Sequence, residues 1–97
     1  MPELNETIHQ TVRLRIMAAL VALETTDEVD FTYLRDLLEV TDGNLGAHLR
    51  KLEDAGYIAI NKTFVERKPR SFISATPEGR MVFQEHVAAL ESIIRNK

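Results

Sequence analysis

The stretch that decides the fold is TDGNLGAHLRKLEDAGYI, residues 41–58. Thr41 offers a capping hydroxyl, and Asp42 suits the first turn of a helix. Leu45, Leu49 and Leu52 then recur at i, i+4 and i+7, one apolar stripe at helical spacing. Gly56 stops the pattern, because the residue just past a helix end commonly takes a positive φ that costs glycine little. The spacing predicts a helix over 41–55. At about 100° per residue, turning the leucines inward sends Gly43, Ala47, Arg50 and Asp54 to the opposite face, with Asn44 and Lys51 on a flank. His48 lies about a quarter-turn from the stripe. Gly43 and Gly46 weaken such a helix by about 1 kcal/mol each relative to alanine. A helix shaped only for stability has no reason to keep both.

Upstream, Phe31, Leu34, Leu37 and Leu38 mark a short helix over 31–38 with Asp30 as its cap, and EVTDG separates it from the next. Downstream, YIAINKTFV is β-branched and aromatic, ERKPR is a polar turn and SFISA returns, so 57–75 reads as a hairpin. Thr76-Pro77-Glu78 is a capping hydroxyl, a proline at the first helical position and an acid, which starts a helix over 77–95. At the other end, Asn5 as cap and Ile8, Val12, Ile16, Leu20 and Leu23 predict a helix over 5–23. A very short extended piece is expected around Val29. The fold class is mainly α with a small β-hairpin. The order helix, helix, short break, helix, hairpin is that of a winged helix-turn-helix, with long N- and C-terminal helices forming a dimer.

Ninety-seven residues leave room for a single domain, 1–97. No apolar run approaches the roughly 20 residues that span a bilayer, and MPELNETIHQ lacks a basic-then-apolar signal pattern. There is no cysteine, which excludes disulfides, thiolate metal sites and thiol nucleophiles. The expected location is the cytoplasm, with no membrane partner. The net charge of −3 hides an uneven distribution: residues 1–47 carry three Lys/Arg against nine Asp/Glu, residues 48–70 six against three, and residues 71–97 three of each. What a partner meets is the local field, and here that is +3 over the helix and hairpin.

In this architecture the second helix of the turn-linked pair enters the major groove. Small residues at Gly43 and Ala47 let a backbone sit deep there. Asn44 and Arg50 can read adenine and guanine bidentately, with Lys51 beside them. Asp54, on the same face, can accept from a cytosine amino group or lie beyond the groove. Lys62, Arg67, Lys68 and Arg70 crowd the hairpin, where they suit phosphate or minor-groove contact. Thr41 starts the reading helix, and His48 either fixes it by a hydrogen bond or touches a phosphate. The candidate DNA-binding set is therefore Thr41, Gly43, Asn44, Ala47, His48, Arg50, Lys51, Lys62, Arg67, Lys68 and Arg70.

Thr41-x-x-x-Leu45-x-x-His48-Leu49-x-x-Leu52-Glu53-x-Ala55-Gly56-Tyr57-Ile58 resembles the recognition-helix signature of the ArsR- and MarR-like winged-helix transcriptional regulators of bacteria and archaea. Ser74-x-Thr76-x-x-Gly79-Arg80 resembles the segment entering their last helix. The resemblance covers nearly the whole chain and implies a homodimeric, double-stranded DNA-binding transcription factor. It implicates the outer face of the 41–55 helix and the 66–70 wing. Where many relatives have a serine just before the residue preceding this histidine, and often arginine next, this chain has Gly46-Ala47. The burden of readout then moves to Asn44, Arg50, Lys51 and the wing.

The terminal helices carry more apolar surface than one small core covers, so Leu14, Met17, Val21, Phe83, Val87, Leu90 and Ile94 are expected to face a second copy. His9, His48 and His86 are too far apart in sequence for a local metal motif, although His9 and His86 can meet across a dimer. No metal and no cofactor is expected. No serine or acid sits in a nucleophile, Gly-rich phosphate or paired-carboxylate setting, so the chain does not read as an enzyme. Relatives often take a small effector between the dimer helices, but no residue set here defines such a pocket. The alternative to DNA binding is a protein–protein interaction module on the same scaffold, favoured by the acidic total and the glycines of the groove face.

Overall fold

A computed structural model describes residues 3–25 and 27–96; the remaining residues of the expected 1–97 domain lie outside the described ones. The chain runs α1 (Thr11–Val21), β1 (Val29–Asp30), α2 (Phe31–Leu38), α3 (Asp42–Asp54), β2 (Ile58–Val65), β3 (Lys68–Ala75) and α4 (Pro77–Arg95). The leucine stripe builds α3. Thr41 caps it, its hydroxyl accepting from the Asn44 N–H at 3.1 Å. Leu45, Leu49 and Leu52 are buried in one cluster with Leu34 and Leu38 of α2, Ile16, Met17 and Leu20 of α1, and Ile58 and Ile73 of the sheet. Each such side chain contributes about 1.5–3 kcal/mol by leaving water.

Two short-range devices end the helices of the pair. Glu39 closes α2 in the left-handed region at φ 55°, and Asp30 opens it by accepting from the Thr32 N–H at 2.8 Å. Gly56, at φ 82°, follows α3, and the Tyr57 N–H then turns back to the Leu52 carbonyl at 3.0 Å.

The sheet is antiparallel with strand order β1-β3-β2. A third strand thus joins the expected hairpin: Val29 pairs with Ile73 and Asp30 with Phe72. In the hairpin, Ile58 faces Ala75, Ile60 faces Ile73, and the last pair before the turn is Val65 with Lys68. Every residue from 61 to 70 is exposed, so the outer half of the hairpin stands clear of the body.

α4 is fastened to the end of α3. The Thr76 hydroxyl accepts from the Gly79 N–H at 2.9 Å and donates to the Gly56 carbonyl at 2.7 Å. A Cβ on Gly79 would stand 1.9 Å from the Tyr57 carbonyl oxygen, so only glycine permits this approach. One residue on, Arg80 donates to the carbonyls of Val21, Leu23 and Glu24 at 3.2, 3.0 and 3.2 Å. A cation there satisfies orphan acceptors at the negative end of α1.

The first helix departs from expectation at both ends. It runs Thr11–Val21 rather than 5–23, because Gln10 is extended at φ −151° and caps it, accepting from the Arg13 N–H at 2.9 Å. Asn5 caps a single isolated turn and not α1. It donates its backbone N–H to His86 Nδ1 and its side-chain amide to the Tyr57 hydroxyl, both at 2.9 Å, while its Oδ1 accepts from the Ile8 N–H at 3.0 Å. Residues 5–10 therefore form a turned segment across α4, and Ile8 reaches the core from it. Met17 has no exposed surface in the single chain and belongs to that core. The expectation that it faces a second copy is corrected: the core cluster of this chain already covers it.

Candidate nucleic-acid interface

α3 presents Gly43, Asn44, Ala47, Arg50 and Lys51 to solvent, while His48 is half-buried. An added Cβ at Gly43 or Gly46 would meet nothing within 4 Å. No internal packing therefore accounts for either glycine. Thr41 is occupied as the cap. Asp42, an acid at the head of this face, is held by Arg35 at 2.8 Å, and Arg35 also pairs with Asp36 at 3.0 Å. Asp54 remains exposed on the outward face.

The hairpin rises beside one flank of α3. Between them lies a cleft of about 220 Å³ lined by Phe31, Gly46, Leu49, Arg50, Glu53, Ile60, Lys62 and Ser71. Arg50 and Lys62, 12 positions apart in sequence, thus border the same groove. The alternation of β2 carries that inner face outward from Ile60 through Lys62 to Phe64, which pairs with Pro69 and is 74% exposed.

The hairpin closes in two residues, Glu66 and Arg67, with φ of 52° and 68°. Two successive positive φ values suit a two-residue hairpin turn, which normally holds Asn-Gly or Asp-Gly. Here two long charged side chains occupy the strained positions, and the guanidinium of Arg67 is carried at the tip. Lys68 follows on the outer side. Among the described residues, Arg50, Lys51, Lys62, Arg67 and Lys68 make no ion pair. Arg70 differs: it is bonded to Asp30, the residue that caps α2, and so braces the base of the wing.

The opposite flank of α3 faces α1. There Arg13 donates from Nε to the Thr7 carbonyl and sets a terminal nitrogen 3.2 Å from His48 Nδ1. Burial, then the nearby Arg13 charge, push the pKa of His48 below the ordinary value. Sequence reasoning did not find Arg13, since 35 positions separate it from His48 and no local pattern links them.

On the remaining surface, Leu14, Val21, Phe83, Val87 and Leu90 are half-buried and Ile94 is 65% exposed, with Met81 and Ile93 exposed beside them on α4. His9 and His86 meet within one chain, their ring centroids 5.3 Å apart. Among the described residues no group of three or more His, Cys, Asp or Glu is arranged to hold a metal ion. No helix of the described residues is long and apolar enough to cross a membrane.

Four helices, the second and third a turn-linked pair, and an antiparallel wing carrying unpaired cations define a winged helix-turn-helix. The family described as winged helix DNA-binding domain matches residues 12–94, and the chain belongs to it. An uncharacterized protein of Methanocaldococcus jannaschii is 33% identical over 88 residues, covering 91% of this chain and 92% of its own. A transcriptional regulator homologue from Pyrococcus horikoshii superimposes with a TM-score of 0.84 at 27% identity, over 94% of this chain and 87% of that one. A MarR-family transcriptional regulator from Enterococcus faecalis does so with a TM-score of 0.71 at 26% identity, over 93% and 74%. Family and fold are those of DNA-binding transcription regulators of MarR type, not of enzymes.

Proposed function

We propose that this protein is a sequence-specific transcription regulator that binds double-stranded DNA as a homodimer in the cytoplasm. The observation that carries the reading is the cleft between α3 and the wing, where Arg50 and Lys62 border one groove with no ion-pair partner among the described residues. α3 enters the major groove, with Gly43, Ala47 and the cap at Thr41 allowing close approach. Asn44, Arg50 and Lys51 meet base edges. Lys62, Arg67 and Lys68 meet phosphates or the adjacent minor groove, and Arg70, through Asp30, holds the wing at its angle. The half-buried Leu14 and Val21 of α1 and the apolar outer residues of α4, Ile94 the most exposed of them, pair with those of a second copy. Two reading helices then address successive major grooves about 34 Å apart.

Selection of bound duplexes from random DNA at near-physiological salt tests the reading. The expected result is an enriched palindrome whose half-sites lie one helical turn apart, bound by a species of twice the 11.0 kDa chain mass. Recovery of no duplex above background refutes DNA recognition, and a monomer at micromolar concentration refutes the pairing.

A further inference from the structure

We propose that Arg13 and His48 together form a phosphate-binding site on the α1 side of the reading helix, gripping the DNA strand opposite the one the wing meets. This inference rests on the DNA-binding reading above and adds a second backbone contact to it.

Hydrogen-bond chemistry fixes the first step. A guanidinium can only donate, so the 3.2 Å approach of Arg13 to His48 Nδ1 makes Nδ1 the acceptor. The imidazole proton of the neutral ring then resides on Nε2. Nε2 makes no bond within the described residues, and it is not among the buried unpartnered atoms, which are Arg80 Nε and His86 Nε2. Arg13 thus orients a neutral ring whose remaining N–H faces water, a ready donor to an anionic oxygen.

Position supplies the second step. Thr41, Asn44, His48, Lys51 and Ala55 share one flank of α3 by the 100° rule, and that flank carries no acid. The wing stands on the other flank, over Gly46, Arg50 and Glu53. A helix seated in a major groove lies between two phosphate rails, so contacts on its two flanks fall on different strands. Arg13 also sits in the first turn of α1, which holds no acid. A cation there opposes the helix dipole, an arrangement unfavourable to the free protein and favourable to a bound anion.

The test uses the intact protein and a duplex carrying the selected palindrome, or a 30-base-pair random duplex, titrated from about 50 to 200 mM salt. Arg13→Gln is expected to lower the salt slope by about 0.9 per protomer. His48→Leu is expected to weaken binding about tenfold, as for a lost bond to a charged group, with the slope unchanged. His48→Gln, whose amide nitrogen reaches the Nε2 position, restores most of that loss. A single methylphosphonate placed on each strand in turn is expected to weaken the wild type at one position to which Arg13→Gln is indifferent. The nitrogen spectrum of the imidazole in the wild type gives a readout independent of any variant's folding: an Nε2–H tautomer whose Nε2 signal moves on adding duplex. An Nδ1–H tautomer, an unmoved signal or a wild-type slope in folded Arg13→Gln overturns the site while leaving DNA binding intact. A wild type that binds no duplex overturns both.

Discussion

Replacing Arg67 with glycine separates stability from binding, because the two are expected to move in opposite directions. Arg67 holds φ 68° at the second position of the wing turn. A side chain in the left-handed region costs about 1–2 kcal/mol. Glycine relieves that strain and returns roughly 0.5–1 kcal/mol of it as extra freedom of the unfolded chain. The net expectation is a gain of about 0.5–1 kcal/mol, or about 2–8 °C in Tm for a domain of this size. The same change removes one phosphate-seeking cation per protomer. Each such contact changes the salt slope by about 0.9, so between 50 and 200 mM the wild-type advantage should shrink about 3.5-fold per protomer. Thermal melts and anisotropy titrations at the two salts read both quantities. A variant that melts lower would mean the turn is not strained as the dihedral angles state. A variant with an unchanged slope would remove Arg67 from the phosphate contacts.

Gly79→Ala is expected to destabilise by about 3 kcal/mol, since its methyl meets the Tyr57 carbonyl, and a melting point within a degree of wild type would contradict the packing. Gly46→Ala is expected to do the reverse, stabilising α3 by about 1 kcal/mol into open space while weakening duplex binding. Full affinity in that variant would show that the cleft between α3 and the wing has no need of the glycine. His86 and His48 both have lowered pKa values, first through burial and then through His9 and Arg13 respectively. The unfolded chain therefore takes up protons below about pH 6.5 before the fold does, and stability should be level above that and fall as pH drops through and below it. Urea unfolding at pH 7.5 and 5.5 checks the sign, and equal midpoints would refute it.

Local chemistry made much of the fold readable. The caps at Asp30, Thr41 and Thr76, the break at Gly56 and the leucine spacing of α3 act within four residues of themselves, so pattern alone carries them. What escaped was set at long range. Ile8 continues the helical spacing of Val12 and Ile16 backwards, yet Asn5 reaches 81 residues away to His86, and Gln10 starts the helix only at Thr11. Around Met17 the sequence of α1 is apolar on several sides, and only the packing of distant elements decides which side is inside. Phe64 continues the inward alternation of Ile58 and Ile60, but the body beneath the strand stops before it, a fact no strand period contains. At the site, the exposed face of α3 followed from the wheel. The Arg13–His48 approach and the Arg70–Asp30 bond join elements whose separation in sequence hides them.

The three carbonyl bonds from Arg80 have a bearing on assembly. They tie the start of α4 to the end of α1 inside each chain, and these are the two helices proposed above to pair with a second copy. The crossing of the two is thereby fixed before any second copy arrives. In the proposed dimer, the distance between paired reading heads, and so the operator spacing they accept, is then a ruler built into every subunit rather than a compromise reached on pairing.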